Sequence, residues 1–209
     1  MPGELKYITA SCIIQNGVVL KNGKPVFEDR NSNAADFLLS AYRHFKIDYP
    51  KFYKMDHLSK LGFLAAEVLI TDNFKREEYK AGQLGIVFAN ANASLDADIN
   101  YWESVKNIPS PALFVYTLPN IVIGEICIRN NFKGENAFFV QPVFDAEFLQ
   151  FYVSDLMEKY KLEVCICGWV DIVGEEYKAV LYQVEKKKQE TSLIFSTEII
   201  NNIYEVTNG

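Results

Sequence analysis

Residues 118–149 read LPNIVIGEICIRNNFKGENAFFVQPVFDAEFL, and the reading of this stretch decides the fold. Pro119 suits a helix start, where its missing N–H would have had no intrahelical partner. Ile121, Gly124, Glu125 and Ile128 then recur at helical spacing. Asn130-Asn131-Phe132-Lys133-Gly134 breaks that period, and Ala137-Phe138-Phe139-Val140 reads as a short apolar strand buried on both faces. Pro142 stops the strand. Asp145 is placed to cap a second helix, whose apolar face carries Phe148, Leu149, Tyr152 and Leu156. A strand, a tight turn and a helix N-terminus together favour an anion, so chemistry would sit between Gln141 and Asp145.

The flanking segments alternate strand and helix. Tyr7 to Ile14 is strand-like and ends at an Asn16-Gly17 turn signal, with Val18 to Leu20 and a second pair, Asn22-Gly23, as an extension. Ala34 to Phe45 places Phe37, Leu38, Ala41 and Phe45 on one side of a helix. From Asp56 onward Leu58, Leu61, Leu64, Ala65, Val68 and Leu69 give the clearest amphipathic helix. Leu84 to Ala89 is a core strand, followed by an Asn-rich turn and a helix through Val105. Val164 to Val170 is another buried strand. Tyr177 to Val184 and Ser192 to Thr197, joined by a charged EKKKQE segment, predict a C-terminal hairpin before a short helix from Glu198 to Tyr204.

Three pieces in this order carry a resemblance: Met55-Asp56 opening a helix, the LPNIVIGEICIRNNFKGENAFFV run, and Val164-Cys165-Ile166-Cys167-Gly168-Trp169-Val170-Asp171. Together they resemble the N-terminal half of the β-ketoacyl synthases of fatty-acid and polyketide synthesis. The resemblance implies an α/β thiolase-like half, a mixed and mainly parallel sheet sandwiched between helices. It also implies one domain over residues 1–209, with a divergent hairpin from about residue 177 that suggests a self-contained short protein. In that family a nucleophilic cysteine lies nine residues past the glycine, and here that count from Gly134 falls on Val143. Valine has neither a lone pair nor an ionisable proton to take up an acyl group. The family's catalytic histidines belong to its second half, whereas His44 and His57 both precede the corner.

The resemblance therefore implies a non-catalytic partner or channel-shaping subunit in fatty-acid, polyketide or aryl-polyene synthesis. The expected partners are a full-length ketosynthase or an acyl carrier protein, in a homo- or heterodimer. Asn136, Ala137, Phe138, Phe139 and Val140 match the family's dimer strand. Phe114, Tyr116, Leu118 and Phe144 match positions near its acyl channel or interface, although core packing explains the first three equally well. One alternative is a decarboxylase of malonyl thioesters, with Gln141 shifted into the corner and Asp145 or Glu147 as the acid–base group. Another is a scaffold or ligand-binding domain in which Phe138, Phe139 and Phe144 fill the old pocket. Cys127, inside an apolar helix, is a poor substitute thiol.

Composition narrows the classes further. A chain of 209 residues with 49% hydrophobic content can bury a substantial core. Its net charge of −6 disfavours nucleic acid, and Lys186-Lys187-Lys188, set between Glu185 and Glu190, reads as a solvated turn. No stretch reaches the ~18 apolar residues of a membrane span, so a soluble, cytoplasmic protein is expected. Cys12, Cys127, Cys165 and Cys167 lie in apolar segments, as reduced thiols do. Cys165 and Cys167 share a strand face but have no further ligand near in sequence to complete a metal set. The pair Asp96 and Asp98 reads as helix-start charge. No metal and no cofactor is implied.

Overall fold

A computed structural model describes residues 4–206 apart from 73 and 107. The sequence reads as a Pro-rich loop from Asn107 to Pro111, and Asn107 lies outside the described residues. The chain begins with a meander, Tyr7–Gln15 (β1), Val18–Lys21 (β2) and Lys24–Glu28 (β3). Both connections are two-residue Asn-Gly turns with positive φ at each residue, at Asn16-Gly17 and Asn22-Gly23. That conformation matches the right-handed twist of an antiparallel pair. The strand β3 was not legible in the sequence.

Two helices follow, Ala34–His44 (α1) and His57–Ile70 (α2). Their caps are as the residues dictate: Asn33 accepts from Asp36 N, and Asp56 accepts from Ser59 N at 3.0 Å and Leu58 N at 3.3 Å. Next come Leu84–Asn90 (β4), Leu95–Val105 (α3), the short Pro111–Val115 (α4), Ile121–Asn130 (α5), Asn136–Val140 (β5) and Ala146–Lys159 (α6). Val164–Val173 (β6), Glu176–Glu185 (β7), Leu193–Ile194 (β8) and Thr197–Tyr204 (α7) complete the chain.

All strands join one mixed sheet in the order β3-β2-β1-β7-β6-β4-β5. Parallel pairing is narrower than expected: β4 pairs parallel with β5 and β6, while β1–β2, β2–β3, β1–β7, β1–β8 and β6–β7 are antiparallel. The reason lies in the connections. Among strands that neighbour each other in the sheet, only β4, β5 and β6 are linked through helices long enough to cross over, and the others are joined by turns or bring together distant parts of the chain.

The predicted C-terminal hairpin is also corrected. β7 forms its hairpin with β6, through the Gly174 turn. β8 pairs with Tyr7 and Ile8 of β1, on the flank that β2 leaves free because β2 reaches only Cys12. Only Leu193–Ile194 of the Ser192 to Thr197 run is strand.

The two faces of the sheet bury separate cores. On one, α1, α2 and α5 cover Ile86, Phe88, Val164, Ile166 and Leu181. On the other, α6 and α7 cover Val87, Cys165, Cys167, Val180 and Tyr182. The β5 strand divides its aromatics between them, Phe138 toward the first and Phe139 toward the second. The expected burial on both faces is only partial, with Ala137, Phe138 and Phe139 partly covered, and the outer edge is free, since among the described residues β5 pairs only with β4.

Gly168 sets the line of β6. Its φ is +148°, and a Cβ there would lie 2.0 Å from the Val180 carbonyl oxygen of β7. Gly168→Ala is therefore expected to cost about 3 kcal/mol or more, read from the midpoint of denaturant unfolding.

Candidate functional site

In sheets of this kind, ligands bind beyond the carboxyl ends of the parallel strands. Here β4, β5 and β6 deliver three segments to that end: Asn90–Ser94, Gln141–Asp145 and Trp169–Val173. Asn90 is fully buried and closes the first turn on itself. Its Nδ2 donates to Ala93 O at 2.8 Å, and its Oδ1 accepts from Ala93 N at 2.9 Å. Asn92 then donates to Asp171 from its amide and its side chain, at 3.3 and 2.7 Å. The second turn is tied to the first by Gln141 N donating to Asn90 O at 2.8 Å.

An open cleft of about 830 Å³ lies against these turns. Val143 lines it and is 68% exposed, with Pro142 and Phe144 beside it. Gln141 and Asp145 do not line this cleft. Asp145 accepts from Phe148 N at 2.8 Å and so caps α6. The group at the mouth of the corner is an aliphatic side chain.

Phe144 is neither a free pocket wall nor a complete plug. Its ring stacks on Tyr204 of α7 with centroids 3.9 Å apart and planes at 8°, and it meets Trp169 edge-on at 6.1 Å. The Lys178 ammonium sits 3.6 Å from the Tyr204 ring centroid and donates to Tyr204 O at 2.9 Å. Burial holds the Lys178 ammonium below the ordinary lysine range, while Glu205 works the other way. The C-terminal helix thus walls the cleft through an aromatic contact that nothing in the sequence pattern of Glu198 to Tyr204 announced.

The remaining candidates separate. Tyr116 is buried and its hydroxyl donates to Glu125 Oε1 at 3.3 Å, with Lys51 Nζ 2.8 Å from Glu125 Oε2. Phe114 and Leu118 are about half exposed on the segment around α4. Neither is core, and neither lines the cleft at Val143. Asn136 and Val140 are exposed at the free edge, and Ala137, Phe138 and Phe139 are partly covered. The sequence reading passed over His57–Asp96, whose Nδ1 and Oδ2 lie 3.0 Å apart. A histidine at a helix start and an aspartate in another helix carry no sequence signal of proximity. That partner holds the Asp96 carboxyl below the usual carboxylate range, against the opposing effect of burial.

All four cysteines are free thiols. Burial pushes Cys12 up to about 12 and Cys127 up to about 11, and raises Cys165 and Cys167 also. Among the described residues no group of three or more His, Cys, Asp or Glu is placed to hold a metal ion, and no helix is long and apolar enough to cross a membrane.

The fold, one mixed sheet between two layers of helices, is shared with known structures. Three solved structures carry that likeness. The ishigamide ketosynthase/chain length factor superposes with a TM-score of 0.63 at 14% identity, over 87% of this chain and 62% of that one. A ketosynthase in complex with its chain length factor from Xenorhabdus doucetiae gives 0.56 at 10%, over 88% and 79%. A type II polyketide synthase acyl-carrier protein in complex with its ketosynthase bound to a hexaketide gives 0.60 at 13%, over 88% and 63%. This chain therefore spans less than two thirds of two of these neighbours. No protein-family model matches the sequence, and no curated protein matches it.

Because a thiol reacts as its thiolate, the raised thiols should resist alkylation in the folded protein at pH 8, their labelling rising only with more alkaline pH. Val143→Cys should add one fast-reacting equivalent by intact mass. Asp145→Ala should lower stability by about 1 kcal/mol through loss of the α6 cap.

Proposed function

We propose that this protein is a non-catalytic ketosynthase-like subunit that works beside an active ketosynthase in fatty-acid, polyketide or aryl-polyene synthesis. The observation that carries the reading is Val143. It occupies the corner at which the resemblance expects a cysteine, it faces an open cleft, and Gln141 and Asp145 stay outside that cleft. What such a corner retains is shape: an aromatic wall beside a groove, able to bound the space in which a partner's acyl chain lies.

The interface is assigned to the free edge of β5. Its unpaired backbone groups offer a ladder to a second chain. Val140 on the strand, Ile128 on α5 and Phe151 on α6 leave large apolar side chains exposed on the elements around it. Ile99 and Trp102 on α3, with Phe114 and Leu118, extend the exposed apolar surface on the segments that precede β5. The occupant is a full-length ketosynthase or a second copy of this chain, with an acyl carrier protein as the visiting partner.

Val140→Asp tests this directly. In native mass spectrometry of protein purified with a ketosynthase and acyl carrier protein from the same cells, the unaltered chain should associate. The variant should bind at least about tenfold more weakly, while stability changes by under about 0.5 kcal/mol. A clean monomer that retains neither protein removes the subunit reading. Malonyl and acyl thioesters should release neither carbon dioxide nor thiol. Turnover abolished by Gln141→Ala or Asp145→Ala would establish the decarboxylase instead.

A further inference from the structure

Away from the cleft, a cavity of about 170 Å³ lies where the start of α2 meets α3 and α4. One side is apolar, formed by Met55, Ala97 and Leu113. The other presents His57, Lys60 and Asn100. Asn100 Nδ2 already donates to Asp96 Oδ2 at 3.4 Å, and two more polar residues that line the cavity are also engaged. The Asp56 oxygens are turned onto the backbone N–H groups of Leu58 and Ser59, and the Tyr116 hydroxyl is on Glu125.

His57 is held by its other nitrogen. Nδ1 is 3.0 Å from Asp96 Oδ2, and Asp96 Oδ1 accepts from Gly174 N at 3.0 Å, which fixes the carboxylate from the far side. This leaves Nε2 as the ring's remaining polar atom. Among the described residues neither Nε2 nor the Lys60 ammonium has a hydrogen-bond or ion-pair partner within the chain. Lys60 is half buried, and burial lowers its affinity for a proton although Asp56 acts the other way. Asp56 forms no ion pair with Lys60, and an anion placed directly beside a half-buried ammonium recovers part of its lost solvation.

We infer that this cavity binds a small monocarboxylate, with its oxygens on Lys60 and His57 and its alkyl end against Met55, Ala97 and Leu113. Size and polarity select the class. A space of about 170 Å³ admits acetate or propionate and not a nucleotide. A tetrahedral oxyanion would press an oxygen onto the apolar wall, whereas a methyl or ethyl group belongs there. Asp56 is the one opposing carboxylate at the wall, and its two backbone hydrogen bonds stabilise it facing the helix. This site does not depend on the proposed subunit function.

The test is a titration of the full chain with sodium acetate followed by amide proton–nitrogen spectra, with inorganic phosphate and sodium chloride at matched ionic strength as comparisons. The expected result is saturable movement of amides in 56–60 and 97–100. The Gly174 amide should move with them, because Asp96 links it to His57. Lys60→Met should weaken acetate at least about tenfold, the loss expected for one charged hydrogen bond, and His57→Gln should weaken it while preserving the dispersion of the spectrum. Shifts linear in acetate, phosphate binding more tightly than acetate, or undiminished binding by Lys60→Met would each overturn the assignment. If Lys60→Met does not fold, saturation in the unaltered chain and the His57→Gln comparison decide it.

Discussion

The hydrogen bond from Gln141 N to Asn90 O, 2.8 Å long, is the last rung of the parallel ladder between β4 and β5, and it sets the level at which both strands end. Pro142 follows at once and has no N–H to extend the ladder. The chain must therefore leave the sheet there, and Asp145 restarts it as α6 by accepting from Phe148 N. Between those two constraints only Val143 and Phe144 are free to choose a direction. Val143 projects to solvent and Phe144 turns under α7. The position of the corner is thus a consequence of backbone pairing and not of the side chain that occupies it.

How legible this was depended on the range of the forces involved. Helix α2 was plain because Asp56 and its apolar row lie within fourteen residues. The Asn-Gly turns were plain because only residues tolerant of positive φ suit them. The turn between β5 and α6 was plain from Pro142 and the capping Asp145, and Gly134 before it is fixed by close approach to β4, since a Cβ there would lie 2.6 Å from Leu84 O. What stayed hidden was long-range. β-rich tails can pair with any free strand flank, and Leu193–Ile194 took that of Tyr7 and Ile8. Phe114 and Leu118 look like core by composition, yet Phe114 lies in, and Leu118 just beyond, a helix too short to bury a face.

A second long-range feature shows what the sheet tolerates inside. The register slip between Ile8 and Ala10 turns Thr9 onto the same face as Ala10. There Thr9 Oγ1 donates to the buried Glu185 at 2.6 Å, joined by Gln183 Nε2 at 2.7 Å and by the Tyr79 hydroxyl at 3.0 Å. A carboxylate held by neutral donors in a core is stable only if each donor is in place. The bulge, the β1–β7 register and the loop carrying Tyr79 are therefore specified together, a constraint no local pattern expresses.

The same reasoning bears on the tail. Helix α7 is short, and a helix of that length has little stability of its own in water. It is held by contacts from elsewhere: Tyr182 OH donates to Ile200 O at 2.9 Å, Gln15 Nε2 to Val206 O at 2.7 Å, and Lys178 Nζ to Tyr204 O. Tyr204 lies between Phe144 on one face and the Lys178 ammonium at its ring, contacts worth about 1 kcal/mol each. The segment that closes the second core and the corner after β5 therefore share one aromatic contact. Anything that moves Phe144 loosens the tail, and anything that draws the tail away uncovers Phe144 and widens the cleft beside Val143. The aromatic contact thus couples the width of the groove to the position of the tail.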